Sequence, residues 1–313
     1  MEPKVVESMY NIVDKYVTEK DLNALLRAFI KDKADEGSKW SNITRCAHYM
    51  LGGNSPEIDL IEAMTEMAML SFDIIDDLQD GDNKLKPWIV CSEAYTLNGI
   101  LAFLFAFMGE TAHIQTRLPQ GSPSLLVEIG SLLSQSINGQ QIDLNDTISS
   151  ESDYLAMIRK KSGSLIRFAC FMGYGLIPNL DKQTIQAMNE LAELIGMISQ
   201  MENDIRDVQR IDEKNDLLHK KRTLPILYLL MDNTPAFPYI HKFYGGEITK
   251  DVFTSHKKDC IAYIENSGCI EYSRIIQSLH LDQLEAEFDA LPGIASWKEQ
   301  FKEKTFARKP LEV

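Results

Sequence analysis

Breakers of regular structure are scarce in this chain. Only 17 Gly and 11 Pro occur among 313 residues, whereas strand-rich folds need many tight turns built on those residue types. The shortage points to long helices. Paired cysteines are lacking as well. The five present (Cys46, Cys91, Cys170, Cys260 and Cys269) are odd in number and scattered. With no CxxC or Cys/His ligand spacing, reduced thiols are expected rather than a zinc site or a disulfide framework. Positive charge is in deficit, with 32 Lys and Arg against 46 Asp and Glu and a net charge of −14. Such a surface does not collect a phosphate backbone, so no nucleic acid is expected as partner. Long apolar runs are missing too. The most apolar stretch, Leu97 to Met108 (LNGILAFLFAFM), is about half of the ~20 residues of a membrane-crossing helix. A buried helix and no transmembrane segment are expected there. The opening MEPKVVESMYNIVDKY carries no signal-peptide core, and the expectation is a soluble, cytoplasmic protein.

What is present suits an all-α fold. Hydrophobic residues make up 44% and charged residues 25%, enough for a sizeable core. No linker, low-complexity tract or short repeat divides the chain. One helical domain over 1–313 is expected, with a motif-bearing part from about 45 to 230 and a less regular C-terminal helical part over 231–313. Apolar residues at three- and four-residue steps predict helices over Glu57–Asp80, Leu125–Asp143, Gln183–Asp207 and Thr223–Met231. Ser150 with Asp153 reads as a capping box opening a helix towards Lys161. Leu97 to Glu110 is apolar almost all round, which predicts a central helix.

The chemistry concentrates in aspartates. In SFDIIDDLQD, Asp73, Asp76, Asp77 and Asp80 stand at i, i+3, i+4 and i+7, one face of a helix. Like charges at these spacings repel by roughly 0.2–0.5 kcal/mol per pair, and the C-terminal end of a helix disfavours anions. A solvated acidic face is one reading; a site for a hard cation such as Mg²⁺, which takes carboxylate oxygens and keeps waters for phosphate to replace, is the other. The same offsets recur in SQMENDIRD as Gln200, Asn203, Asp204 and Asp207, which favours the metal reading. Cations follow each region: Lys160 and Lys161 before Ser162-Gly163, and Lys220, Lys221 and Arg222 before Thr223. Each could be a solvated helix end. Together with the aspartates they suit a diphosphate, metal on one side and ammonium groups on the other.

These residues resemble the trans-prenyl diphosphate synthase superfamily. Asp76-Asp77-Leu78-Gln79-Asp80 matches its first DDxxD, and Gln200 with Asn203-Asp204-Ile205-Arg206-Asp207 its second aspartate motif, with Asn for the first Asp. Gly139-Gln140-Gln141-Ile142-Asp143 matches GQxxD, Lys161-Ser162-Gly163-Ser164-Leu165 matches K[ST]GxL, and Lys221-Arg222-Thr223-Leu224-Pro225 matches KxTLP. The resemblance implies an isoprenoid-synthase bundle around an apolar pocket, with Mg²⁺ held by Asp76, Asp77, Asp80, Asn203, Asp204 and Asp207. Lys161 and Lys221 would assist departure of diphosphate. Gln140 and Gln200 would hydrogen-bond in the site, and Asp143 would support metal or cation charge. Ser71 and Phe72, one turn before the motif, would floor the prenyl pocket, although plain core packing describes Phe72 as well.

The departures carry information. The superfamily's GGKxxRP element, which binds isopentenyl diphosphate, reads here Gly52-Gly53-Asn54-Ser55-Pro56-Glu57, and its Arg-Arg pair after DDxxD reads Leu85-Lys86. The donor half is kept and the acceptor cations are largely lost. One branch with this pattern, the ComQ-type enzymes of bacilli, is similar also in HYMLGGN, in RKKSGSLI and in the stretch to Pro87-Trp88. That likeness implies transfer of a geranyl or farnesyl group from its diphosphate to a Trp of a competence pheromone precursor peptide, and admits a homodimer. A short-chain prenyl diphosphate synthase, a class I terpene cyclase and a non-catalytic binding subunit are the alternatives.

Overall fold

The computed structural model describes residues 1–81, 83–119, 122–210, 216–231 and 236–307. Among them no strand occurs. The helices, in chain order, are α1 (Pro3–Tyr16), α2 (Lys20–Glu36), α3 (Trp40–Met50), α4 (Ile58–Asp80), α5 (Pro87–Val90), α6 (Glu93–Arg117), α7 (Leu125–Leu144) and α8 (Glu151–Ile158). After a π-helical segment over Arg159–Gly163 come α9 (Ser164–Tyr174), α10 (Lys182–Val208), α11 (Leu224–Met231), α12 (Tyr239–Tyr244), α13 (Lys250–Ser255), α14 (Lys257–Asn266), α15 (Cys269–Ala290) and α16 (Ala295–Thr305). The all-α expectation holds. The helices foreseen from periodicity appear within one or two residues, and Gly81 ends α4 in the left-handed conformation, φ 67°, which a glycine adopts without a Cβ penalty. The Ser150–Asp153 capping box is formed.

The chain condenses into two compact units. The first comprises Met1–Ser131, Arg167–Met188 and Pro292–Val313; the second comprises Leu132–Ile166 and Asn189–Leu291. In the first, α4 is the enclosed helix, packed by α1, α3 and α6, and α16 lies on α3. Its buried acids are compensated. Arg45 forks onto Glu62 and Glu2, and the Ser41 backbone N–H donates to Glu66 at 2.8 Å. Burial of a carboxylate without such partners would be strongly unfavourable.

The expected centrality of Leu97–Glu110 is corrected. Helix α6 buries Ile100, Phe103 and Phe107 but leaves Leu97, Leu101, Phe105 and Met108 between 48% and 65% exposed. Packing covers one side of a helix that is apolar on both. At 25 residues, α6 is also, among the described residues, the one helix long and apolar enough to cross a membrane by length and composition; its inner side is part of the first unit's core.

One cluster of the second unit's core is built mostly from residues after the last motif. Phe237, Ile240, Phe243, Phe253 and Ile264 close on Val208 and Ile226. A second cluster gathers Tyr154, Ile158, Met201 and Leu224.

Candidate active site

On α4 the aspartate face divides. Asp76 is exposed and Asp80 half-buried, whereas Asp77 is only 9% exposed. Both Asp77 oxygens accept neutral donors: the Trp88 indole N–H at 2.7 Å and the Asn83 side-chain amide. Asp73 pairs instead with Lys33 Nζ at 2.9 Å. Burial pushes the Asp73 carboxyl above its usual range; Lys33 opposes this, and Asp76 and Asp77 add to it. The repulsion inherent in four aligned aspartates is thus relieved at Asp73 and Asp77 by partners on α2 and α5, and Asp76 is the most exposed of the four. Ser71 is fully buried and donates its hydroxyl to the Met67 carbonyl at 3.1 Å, while Phe72 is half-buried. The stretch after Gly81 includes Asp82, which lies outside the described residues.

On α10 the same division appears. Asn203 is exposed and Asp207 half-buried, but Asp204 is 4% exposed. It accepts from the Tyr154 hydroxyl at 2.6 Å and from the Gln200 amide at 2.8 Å. Burial raises its pKa to about 6, against those two hydrogen bonds. Gln200 in turn accepts from Ser162 Oγ at 2.6 Å, and Lys161 Nζ lies 2.7 Å from Asp143 Oδ2. The second unit therefore gathers Asp143, Lys161, Gln200 and Asp204, with the charges of Asp143 and Lys161 acting on Asp204.

Lys161 owes its place to a backbone irregularity. The expected helix from Ser150 to Lys161 widens into the π-helix at Arg159–Gly163, a form that is frequent at functional sites. Two glycines accommodate it. A Cβ on Gly139 would stand 2.3 Å from the Lys161 backbone N, and one on Gly196 would stand 2.5 Å from the Ser162 carbonyl oxygen. Ser136 Oγ donates to the Lys161 carbonyl at 2.8 Å. Gln140 is half-buried on the same helix, α7, and Lys160 is exposed.

Lys221 follows a turn in which Lys220 takes φ 56°. The Lys221 N–H donates to the Asp216 carbonyl at 3.0 Å, and its own carbonyl accepts from Tyr244 at 2.7 Å. Asp216 is a residue that sequence reasoning missed. It is 7% exposed, and burial holds its carboxyl well above the normal range, reinforced by Asp204 and Asp207 and opposed by Lys221. It sits in a turn, where no periodicity marks it. Trp88 and Tyr154, the donors to Asp77 and Asp204, were missed as site residues because each stands on a different helix from the aspartate it serves.

Among the described residues no three His, Cys, Asp or Glu side chains converge as a ready metal cage. Mg²⁺ seldom uses such cages. It takes one or two carboxylates and completes its octahedron with waters and substrate phosphates. The outward oxygen donors of each face fit that mode.

Comparison with known proteins decides the lineage. The family model described as polyprenyl synthetase matches residues 43–264. The chain belongs to the polyprenyl synthetase family. Similar curated proteins include the tryptophan prenyltransferase ComQ of Bacillus subtilis subsp. natto (strain BEST195), 28% identical over 92% of this chain and 87% of that one. The protein of the same description from Bacillus spizizenii is 26% identical over 88% and 96%. Over nearly its whole length the chain is similar to these ComQ proteins. Among solved structures, the polyprenyl synthase from Caulobacter crescentus CB15 complexed with calcium and isoprenyl diphosphate superposes with a TM-score of 0.74 at 19% identity, over 96% of this chain and 91% of that one.

In this member of the family the loop that departs from GGKxxRP is held by protein contacts. His48 is fully buried; its Nδ1 lies 2.8 Å from the Gly173 carbonyl, and its Nε2 accepts the Ser55 backbone N–H at 3.0 Å. Those two bonds require the neutral ring with its proton on Nδ1, and burial lowers the His48 pKa accordingly. Glu57 pairs with Arg117 at 2.9 Å. Lys86, standing where the family has an arginine, pairs with Asp32 at 2.7 Å and Glu36 at 3.2 Å. Leu85 is 94% exposed.

Proposed function

We propose that this protein moves a geranyl or farnesyl group from its diphosphate to a tryptophan side chain of a pheromone precursor peptide. The asymmetry of the charges supports the reading most: the outward carboxylates and Lys161 and Lys221 are retained, while Asn54, Glu57 and Leu85 replace acceptor cations. Glu57 and Lys86 are each spoken for by ion pairs within the protein. A diphosphate acceptor would forgo charge-assisted hydrogen bonds worth about 1.5–3 kcal/mol each. A neutral indole needs none of them. The description of the Bacillus relatives as tryptophan prenyltransferases supports the same acceptor.

Asp76, Asp77, Asp80, Asn203, Asp204 and Asp207 would hold Mg²⁺, which supplies positive charge to the departing diphosphate. Lys161 and Lys221 add ammonium charge to the same leaving group. As the allylic C–O bond breaks, the carbon gains cationic character and the electron-rich indole ring bonds to it, after which the ring system loses a proton. Gln140, Gln200 and Asp143 orient polar groups around the diphosphate, and Phe72 limits prenyl length. We read the two units as one isoprenoid-synthase domain, because the family model draws on both, and the protein as cytoplasmic. The exposed Leu97, Leu101, Phe105 and Met108 face of α6 supports a homodimer.

Purified protein with Mg²⁺ and geranyl or farnesyl diphosphate should add one prenyl mass to a Trp-containing precursor peptide and none to its Trp→Ala form. Isopentenyl diphosphate in place of peptide should give little elongation. Efficient elongation with an unmodified peptide would return the protein to the ordinary synthases, and cyclic products from diphosphate alone would make it a terpene cyclase.

A further inference from the structure

Two separate stretches of chain carry the same device. In the first unit, Asp77 Oδ2 accepts the Trp88 indole N–H at 2.7 Å and Oδ1 accepts the Asn83 amide. In the second, Asp204 Oδ2 accepts the Tyr154 hydroxyl at 2.6 Å and Oδ1 accepts the Gln200 amide at 2.8 Å. Each pairs one aromatic donor with one carboxamide, on the second aspartate position of its motif. We propose that Trp88 and Tyr154 are positioning residues, fixing Asp77 and Asp204 in orientation while leaving their negative charge uncancelled; this rests on the donor reading above.

The alternative way to orient a buried carboxylate is visible beside it. Lys33 fixes Asp73 with a cation at 2.9 Å, which also spends the charge. An indole N–H or a phenol O–H is a neutral dipole. It aims the oxygen and leaves lone pairs and charge for a metal–diphosphate. Both aromatics are themselves enclosed by packing. Trp88 is 2% exposed, stands edge-on to Phe29 and accepts the Thr96 hydroxyl on its carbonyl at 2.6 Å; Tyr154 is fully buried. That two chemically different rings reach the same position of the two motifs, from α5 and from α8, argues against incidental packing.

Trp88→Phe and Tyr154→Phe keep the ring and remove only the donor. The assay is calorimetric titration of inorganic pyrophosphate across a Mg²⁺ series, alongside steady-state turnover. The Mg²⁺ concentration for half-maximal pyrophosphate binding should rise roughly 10- to 100-fold in either variant, with kcat reduced and KM for the peptide unchanged. Trp88→Phe placed on Asp77→Ala should add nothing further, since the bond is already gone. Asn83→Gly, at a position whose φ of 54° glycine adopts freely, removes the other donor to Asp77 without touching the core and should shift the Mg²⁺ series the same way. Unchanged Mg²⁺ dependence in these variants, or additivity on Asp77→Ala, overturns the positioning role alone. A parent protein that binds no pyrophosphate with Mg²⁺ overturns the donor reading and the proposal with it.

Discussion

Replacing Gly139 by Ala tests how closely the Lys161 segment depends on backbone contact. The new Cβ would meet Lys161 N at 2.3 Å, Lys161 Cα at 2.7 Å and the Lys160 carbonyl carbon at 2.8 Å. All three are backbone atoms, so no side chain can swing away. Ordinary contact begins at 3.4 Å, and the π-helical segment must retreat by about 1 Å in a close-packed interior. Overpacking of this kind costs about 1–3 kcal/mol. Stretching the Ser136–Lys161 hydrogen bond adds about 0.5–1.5 kcal/mol, and the helix-propensity gain of Gly→Ala returns about 0.5–1 kcal/mol. The net loss is about 0.5–4 kcal/mol, which lowers the melting temperature by up to several degrees. The larger effect falls on chemistry, because misplacing a positioned group by about 1 Å can cost on the order of 100-fold in rate. Gly130→Ala on the same helix is the control: its Cβ meets nothing within 4 Å, so the variant should be slightly more stable and fully active. Melting curves and diphosphate release, measured side by side, decide the matter. A Gly139→Ala protein that behaves like Gly130→Ala would refute the close-contact account of Lys161.

Other outcomes follow from the same geometry. Asp80→Asn, on the outward side of α4, should cut turnover by orders of magnitude with an unchanged far-UV signal; near-normal activity in limiting Mg²⁺ would remove the metal assignment. Phe72→Ala should shift preference towards a longer donor, since each additional buried CH₂ contributes ~0.8 kcal/mol; an unchanged preference with intact folding assigns Phe72 to the core. His48 has a folded-state pKa below its ordinary 6.5. Its contribution is therefore full above pH 6.5 and is lost as the pH falls towards the folded value, where the open loop takes up a proton that the closed loop refuses. Amide exchange at Ser55, corrected for intrinsic rate, should accelerate as the pH drops from 7 to 5, and no change would remove His48 as the loop's anchor.

Much of the fold was legible because local signals agreed with packing. Gly81 ends α4 and Ser150 with Asp153 opens α8 as their types suggest. The misjudged centrality of α6 shows where such signals stop. Residue type reports what can be buried, not which side the neighbours cover, and the enclosed helix is α4 despite Glu62 and Glu66, because Arg45 and Ser41 satisfy them. The site divides likewise. The aspartates and lysines stood out by spacing, but nothing in Arg159-Lys160-Lys161-Ser162-Gly163 announces a π-helix. The space for it lies at Gly139 and Gly196 on other helices. Nor could spacing connect Tyr154 to Asp204, which stand on different helices.

The Gly52-Gly53 pair shows that one short motif can contain two independent requirements. A Cβ on Gly53 would fall 2.3 Å from the His48 ring, so this glycine answers to an imidazole inside the protein and not to a phosphate outside it. On the proposed function, Asn54 and Glu57 beside it answer to the choice of acceptor instead. Shape and charge in this element can then be inherited separately: an enzyme can change what it accepts at Asn54 and Glu57 while the loop keeps its course. A preserved glycine pair is accordingly a statement about backbone geometry, and a search for isopentenyl diphosphate acceptors among such chains should be read from the cations alone.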